Sequence, residues 1–366
     1  MRLSRRQFIP AGLVLAATLP SVARTAPARP RPIVIAHRGA SGERPEESAS
    51  AYRLAIAEGA DFIEPDLVAT KDGVLVARHE NEIGGTTDVG GRPEFAARRT
   101  AKVIDGAPTE GWFTEDFTLA ELKTLRVRER LPQLRPASAS HDGEDLILTF
   151  QEVIDIARLG GLAARRTVGV YPEMKHPTHF AAAGLPLEVR LAEALKRNGL
   201  DSATAPVFVQ CFEVGALKTF RTLSRARLVQ LVDSTGAPAD FVARGDPRTY
   251  ADMISPAGMK AIAAYADGIG PDKSLVVSLD VPGIPPTPLV RDAHAAGLLV
   301  HPWTVRAENA FLPQSLKRGP VDDPALPGMQ GNVDALFAAL YGAGVDGLFS
   351  DFPGLAVAAR SRISNS

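Results

Sequence analysis

The sequence predicts an α/β protein, a (β/α)8 barrel with a small insertion after the second strand, and three observations carry that prediction. Short apolar runs that read as strands alternate with helical stretches along most of the chain. Eight such runs are counted, near residues 33, 61, 168, 207, 229, 268, 299 and 347. Polar side chains able to do chemistry recur at the C-terminal ends of these runs, where a barrel gathers its working residues. A chain of 366 residues fits one barrel-sized domain with insertions.

The elements follow in order. Residues 1–23 read as a twin-arginine export signal: Ser4-Arg5-Arg6-Gln7-Phe8 precedes an apolar run from Ile9 to Leu19, and Ser21 and Ala23 offer a cleavage site. That run is shorter than the roughly 20 residues a permanent membrane span needs; an uncleaved anchor or a disordered tail is the alternative. Residues 24–32 are a stiff linker ending in Arg29-Pro30-Arg31-Pro32, residues 33–360 the barrel, and 361–366 a tail. Ile33-Val34-Ile35-Ala36 is the first strand and ends in the turn His37-Arg38-Gly39-Ala40-Ser41-Gly42. Ser48 to Glu58 has helical spacing and is stopped by Gly59; Asp61 to Asp66 is the second strand, and this order argues for a right-handed parallel crossover.

Val74 to Val76 is an extended piece leading to His79-Glu80. From Gly84 to Glu144 the rhythm breaks into a stretch rich in Gly, Pro, Asp and Arg, with one helix expected from Thr118 to Leu125. This reads as an insertion in a βα loop. The alternation resumes with a helix from Thr149 to Leu159 and a strand from Thr167 to Tyr171 that runs into Pro172-Glu173-Met174-Lys175. Helices are then expected at Leu187–Arg197, Val214–Leu223, Pro256–Tyr265, Leu289–Ala296, Val333–Tyr341 and Leu355–Arg360. The strands between them are Pro206–Gln210, Leu228–Val232, Gly268-Ile269-Gly270, Leu298–Trp303 and Gly347–Phe349.

Composition narrows the chemistry. Lys plus Arg is 41 against 42 Asp plus Glu, a balance without the electrostatic footprint of a nucleic-acid or acidic-membrane binder. The expected partner is a small molecule, with no stable membrane insertion once the signal is cleaved. A single cysteine, Cys211, excludes a disulfide framework and a thiolate zinc site, leaving carboxylates and imidazoles as metal ligands. Such a donor set favours hard cations, calcium or magnesium.

His37, Glu64 with Asp66, Glu173 with Lys175, Gln210, Trp303 and Asp351 all stand at the C-terminal end of an expected strand, so a barrel brings them to one mouth. Any one of them could cap a loop; six positions sharing that placement point to a site. Glu64 and Asp66 are two apart on a strand and face the same way, a repulsive arrangement that a divalent cation relieves, with Glu173 as a third ligand. The competing reading is an arginine–carboxylate pair at the rim. Arg38 and Lys175 are candidate phosphate-binding cations, and Gln210 and Trp303 candidate substrate contacts. His37 and His79 can move protons near neutral pH, whereas His141, His176, His179, His294 and His301 read as structural or peripheral.

These motifs together resemble the glycerophosphodiester phosphodiesterases. The likeness begins with His37-Arg38-Gly39-Ala40-Ser41-Gly42, Pro45-Glu46, Gly59-Ala60-Asp61, Glu64-Pro65-Asp66, Thr70-Lys71-Asp72-Gly73 and His79-Glu80. Asp116-Phe117-Thr118-Leu119 continues it within the insertion, and Gly347-Leu348-Phe349-Ser350-Asp351-Phe352-Pro353 closes it. Tyr171-Pro172-Glu173-Met174-Lys175, Gln210-Cys211-Phe212, Tyr265 to Pro271 and His301-Pro302-Trp303-Thr304-Val305-Arg306 resemble the periplasmic, calcium-dependent branch. The resemblance implies a barrel that hydrolyses glycerophosphodiesters to sn-glycerol 3-phosphate and an alcohol. It implies catalytic His37 and His79, one cation, calcium before magnesium, per site on Glu64, Asp66 and Glu173, and phosphate contacts from Arg38 and Lys175. Two positions depart from the pattern: Glu80 stands where aspartate is usual, and Glu46-Glu47-Ser48 replaces a Glu-Asn-Thr type of run. Both bear on metal preference or affinity. Alternatives are a phospholipase- or sphingomyelinase D-like phosphodiesterase, and a non-catalytic envelope binding protein on the same barrel.

Overall fold

The computed structural model describes residues 30–363. The export signal and residues 24–29 of the linker lie outside the described residues. Eight parallel strands form the frame: β1 (Ile33–His37), β2 (Phe62–Glu64, resuming as Asp66–Ala69), β3 (Gly169–Val170, resuming as Glu173–Met174), β4 (Phe208–Cys211), β5 (Arg227–Val232), β6 (Gly268–Pro271), β7 (Leu299–Val300) and β8 (Gly347–Ser350). Sequence neighbours pair from β1 through β7, and β1 also pairs with β8. The ring closes between β7 and β8, where the amides of Asp346 and Phe349 donate to the carbonyls of Val300 and Pro302, both at 3.0 Å.

The breaks in β2 and β3 have one cause. Pro65 and Pro172 carry no N–H and drop out of the ladder as donors, yet their carbonyls still accept from Glu173 and Gln210, both at 2.9 Å. The eight expected strands are all present. The glycine-rich sixth follows from close packing: a Cβ on Gly268 would sit 2.9 Å from the Leu299 carbonyl oxygen, and one on Gly270 would sit 2.6 Å from the Leu231 side chain.

Local sequence sets the helices. Ser48 caps Ala49–Ala57, and Thr149 with Glu152 forms a capping box on Phe150–Ala163, which runs four residues past the expected Leu159. Leu187–Arg197 and Val214–Leu223 have the expected bounds. Pro256–Ile262 ends earlier than expected, and the last helix, Pro353–Ile363, extends past the expected Arg360 at one end and Leu355 at the other. Five helices of four to six residues, Pro136–Ala139, Pro177–Ala182, Ala239–Arg244, Tyr250–Met253 and Lys273–Val276, were not expected, being too short to show a period. One apolar layer lies between strands and helices. A second fills the barrel with Ile35, Phe62, Tyr171, Phe208, Val229 and Phe349.

The 84–144 stretch departs most from expectation. Its expected helix spans only Leu119–Leu122, although Thr118 and Glu121 do form the expected capping box, and a second short helix, Pro136–Ala139, follows. It also carries an antiparallel hairpin, Thr100–Ile104 with Ala107–Gly111, turned at Asp105-Gly106, both at positive φ. The hairpin is mostly solvent-exposed, so its sequence carries no apolar alternation to read.

Candidate active site

Register places the acids. Across the sheet His37 stands beside Glu64, Asp66 beside Glu173, and Glu173 beside Gln210. Glu64, Asp66 and Glu173 are buried, and one carboxylate oxygen from each lies within 4.8 Å of the others. Asp66 Oδ1 has no hydrogen-bond partner, and Oδ2 faces only the Arg38 Nε, at ion-pair distance but outside hydrogen-bond geometry. Burial and the neighbouring Asp66 charge push Glu64 well above the ordinary carboxylate range, and burial raises Glu173 to about 7 against the pull of Lys175. Burial acts on Asp66 too, but Arg38 and Lys175 outweigh it and hold its pKa low. Crowded, desolvated carboxylates, one oxygen of which has no partner, suit a hard divalent cation, which would remove their repulsion.

Positioning groups surround this cluster. The Arg38 backbone N–H donates to Glu64 at 2.8 Å and the Gln210 amide donates to its other oxygen at 3.0 Å. Gln210, expected among the substrate contacts, thus has its amide committed to a carboxylate. The Asp66 N–H donates to Glu47, which is buried and held by the Tyr52 hydroxyl. Arg38 contacts Asp66 at 2.9 Å and Glu46 at 3.2 Å, so the rim ion pair weighed from the sequence exists alongside the acid cluster. Lys175 lies 3.0 Å from Glu173 and 3.4 Å from the His79 ring.

The two imidazoles flank the acids. His37 Nδ1 is 2.6 Å from Asp351, which is held in turn by Arg135 and by Arg306 at 3.1 Å. Burial, with Arg38 nearby, lowers the His37 pKa to about 4; burial with Arg38 and Lys175 lowers His79 to about 3. Both rings are therefore neutral at pH 7 and free to accept a proton. His301 is buried among the barrel aromatics against the Tyr171 hydroxyl at 2.8 Å.

Between these groups is a cavity of about 240 Å³, lined by His37, His79, the carboxylates Glu64 and Glu173, Arg38, Lys175, Phe212 and Trp303 among others. The Trp303 N–H is committed to the Gly270 carbonyl at 2.8 Å, so it offers the cavity a ring rather than a donor. Arg130 and Arg306 also line it. Arg130, Arg135 and Arg306 were not among the expected site residues. Arg306 ends the His301–Arg306 motif, whereas Arg130 and Arg135 sit in the insertion, where no local pattern marks them. The cavity thus sets acids, neutral imidazoles and cations together, an arrangement able to hold an anion beside a metal and move protons.

A family model for the glycerophosphoryl diester phosphodiesterase family matches residues 37–355. A glycerophosphodiester phosphodiesterase of Arabidopsis thaliana is 38% identical, covering 92% of this chain and 89% of its own. One of Haemophilus influenzae is 30% identical, covering 88% and 87%. Among solved structures, a protein of Silicibacter pomeroyi superposes with a TM-score of 0.64 at 20% identity, covering 92% of this chain and 95% of its own. An Oleispira antarctica phosphodiesterase, solved with its product sn-glycerol-3-phosphate, gives 0.58 at 21% identity, covering 90% and 97%. These solved relatives support the barrel, and the sequence relatives the enzyme class. The chain belongs to the glycerophosphoryl diester phosphodiesterase family.

Proposed function

We propose that this enzyme hydrolyses glycerophosphodiesters to sn-glycerol 3-phosphate and an alcohol, using a divalent cation and two histidines. The observation that carries the reading is the convergence of Glu64, Asp66 and Glu173, with the unpartnered Asp66 Oδ1 among them. Glu64, Asp66 and Glu173 would hold the cation, which when bound supplies Lewis-acid polarisation of a phosphoryl oxygen and of a hydroxyl. Calcium is the proposed ion because an all-oxygen carboxylate set suits it, with magnesium the alternative. The product in the Oleispira antarctica complex is the one this reading assigns here.

This chain's own residues do the rest. Arg38 and Lys175 place positive charge at the cavity for the phosphodiester anion. His37 and His79 divide the proton work. One, entering as the neutral ring, accepts the proton of the attacking glycerol 2-hydroxyl, and the other, entering protonated beside the bound phosphodiester anion, gives its proton to the departing alkoxide. The resulting cyclic phosphate is then opened by water in the reverse sense. Asp351 fixes the His37 ring by its Nδ1, leaving Nε2 for the reaction. Phe212 and Trp303 give the alcohol or glycerol an apolar wall.

The test is glycerophosphocholine hydrolysis by metal-stripped protein, with calcium or magnesium returned, beside His37→Ala, His79→Ala and Glu64→Ala. Activity should vanish on stripping, return with the metal, and be lost in all three variants. Full activity after stripping ends the metal reading; full activity in either histidine variant ends the acid–base reading. Export by the twin-arginine route to the periplasm or medium is proposed from Arg5-Arg6. Replacing both arginines by lysine should leave the protein in the cytoplasm, and unchanged export would remove that assignment. No helix among the described residues is long and apolar enough to cross a membrane.

A further inference from the structure

The insertion reaches the site through an unassigned chain of four side chains. His79 Nδ1, buried and with no partner in hydrogen-bond geometry, lies at ion-pair distance, 2.9 Å, from one oxygen of Glu80. The other Glu80 oxygen is 2.9 Å from His176 Nε2, and His176 Nδ1 is 2.7 Å from Asp105. Asp105 is the turn residue of the Thr100–Gly111 hairpin. Lys102 of the same hairpin pairs with Glu115 at 2.9 Å and Asp116 at 2.8 Å, tying its base to the insertion.

We propose that this hairpin positions His79 for proton transfer, through a relay in which Asp105 holds His176, His176 holds Glu80, and Glu80 holds the His79 ring. The proposal rests on the reading of His79 as a proton-transferring group. An imidazole with a carboxylate on each nitrogen must donate from both and is therefore cationic. Burial opposes charge on His176, but the hydrogen bonds to Asp105 and Glu80 outweigh it and raise its pKa to about 9. A fixed cation keeps Glu80 ionised and aimed, and an ionised Glu80 selects the His79 tautomer with its proton on Nδ1. His79 Nε2 then faces Lys175, 3.4 Å away, and the cavity.

The side-chain lengths also fit. His79 and Glu80 are adjacent in sequence, and their side chains must fold toward one another to meet. Glutamate, one methylene longer than aspartate, bridges from His79 to His176. His176 becomes a positioning residue rather than a peripheral one, and the hairpin acquires a role that its exposed strands alone do not suggest.

The experiment uses the full-length protein with calcium, and glycerophosphocholine as substrate, for Glu80→Gln, His176→Gln and Asp105→Asn, with thermal melts to count folded protein. Asparagine tolerates the positive φ at Asp105, so that variant keeps the turn. Each single variant should lose about 10-fold or more in kcat per folded molecule, with KM within about 2-fold. The Glu80→Gln/Asp105→Asn double variant should be no slower than its slower parent, because one relay breaks only once. Unchanged kcat in His176→Gln or Asp105→Asn, or losses that multiply in the double variant, overturns the relay. A raised KM at constant kcat also overturns it, because it would make His176 a substrate contact in the adjoining chamber of about 340 Å³ that it lines with Phe212. His79→Ala separates the levels: its full activity removes the acid–base reading itself, whereas an inactive His79→Ala beside fully active relay variants removes only the relay.

Discussion

Replacing Glu173 with glutamine should stabilise the metal-free protein and abolish its stabilisation by metal. Glu173 is buried, and its pKa stands at about 7 against an ordinary 4.5. A carboxyl whose folded pKa lies above its unfolded value weakens the fold as pH rises. The penalty is absent below 4.5 and complete above 7. At about 1.4 kcal/mol per pKa unit, the full penalty is about 3 kcal/mol. Glutamine removes it but takes from Lys175 its anionic partner 3.0 Å away, so the net gain at pH 8 is smaller, about 1–3 kcal/mol. For a domain of this size that is roughly 2–5 °C in melting temperature. The assay is calorimetry or circular dichroism at pH 8 and pH 5, in chelator and in calcium. In chelator at pH 8 the variant should melt above the wild type, and at pH 5 the gap should shrink. Calcium should raise the wild type alone, and the variant should be inactive. Equal melting in chelator at pH 8, or an equal calcium shift in both proteins, would refute the idea that Glu173 is one of three mutually repelling metal ligands.

Other outcomes follow from particular contacts. His301 is buried with its pKa lowered to about 4, so the fold favours its neutral form and loses stability as pH falls from 6.5 toward 4, by about 3 kcal/mol in all. His301→Gln should flatten that part of a urea-unfolding pH profile, and an unchanged acid limb would show that its ring is not what titrates. Arg135 pairs with Asp351 and Glu308, all three side chains being buried, so Arg135→Gln should cost roughly 3 kcal/mol and lower kcat through a loosened His37. Arg135→Lys should not restore it, since a point charge cannot serve both carboxylates as the guanidinium fork does; full kcat in either variant would disconnect Arg135 from His37. Thr149→Ala should cost about 1 kcal/mol by urea denaturation with kcat unchanged, because the capping box it breaks lies on an outer helix.

Much of the architecture was legible because it is local. Ser48, Thr118 and Thr149 mark helix starts through bonds to residues three along, and the Leu187–Arg197 and Val214–Leu223 helices show their period directly. The acid cluster was legible by a different route. Glu64 and Asp66 share a strand face, and a parallel barrel sets the end of each strand beside the next. The hairpin Thr100–Gly111 was not legible, because an exposed ribbon needs no apolar alternation. Gln210 was placed correctly at the mouth, but no spacing rule says whether its amide turns to a ligand or to Glu64.

The sequence by itself determined the alternation of strands and helices, the gathering of His37, Glu64, Asp66, Glu173 and Lys175 at one end of the barrel, and the family, since each depends on short-range pattern or on motif. Only the tertiary structure decided that Arg135 holds Asp351 across 216 residues of sequence, and that Asp105 meets His176 across 71. Such pairings depend on where the insertion packs. Its course is set by many weak contacts summed over its surface rather than by any periodicity, so no window of the sequence contains it.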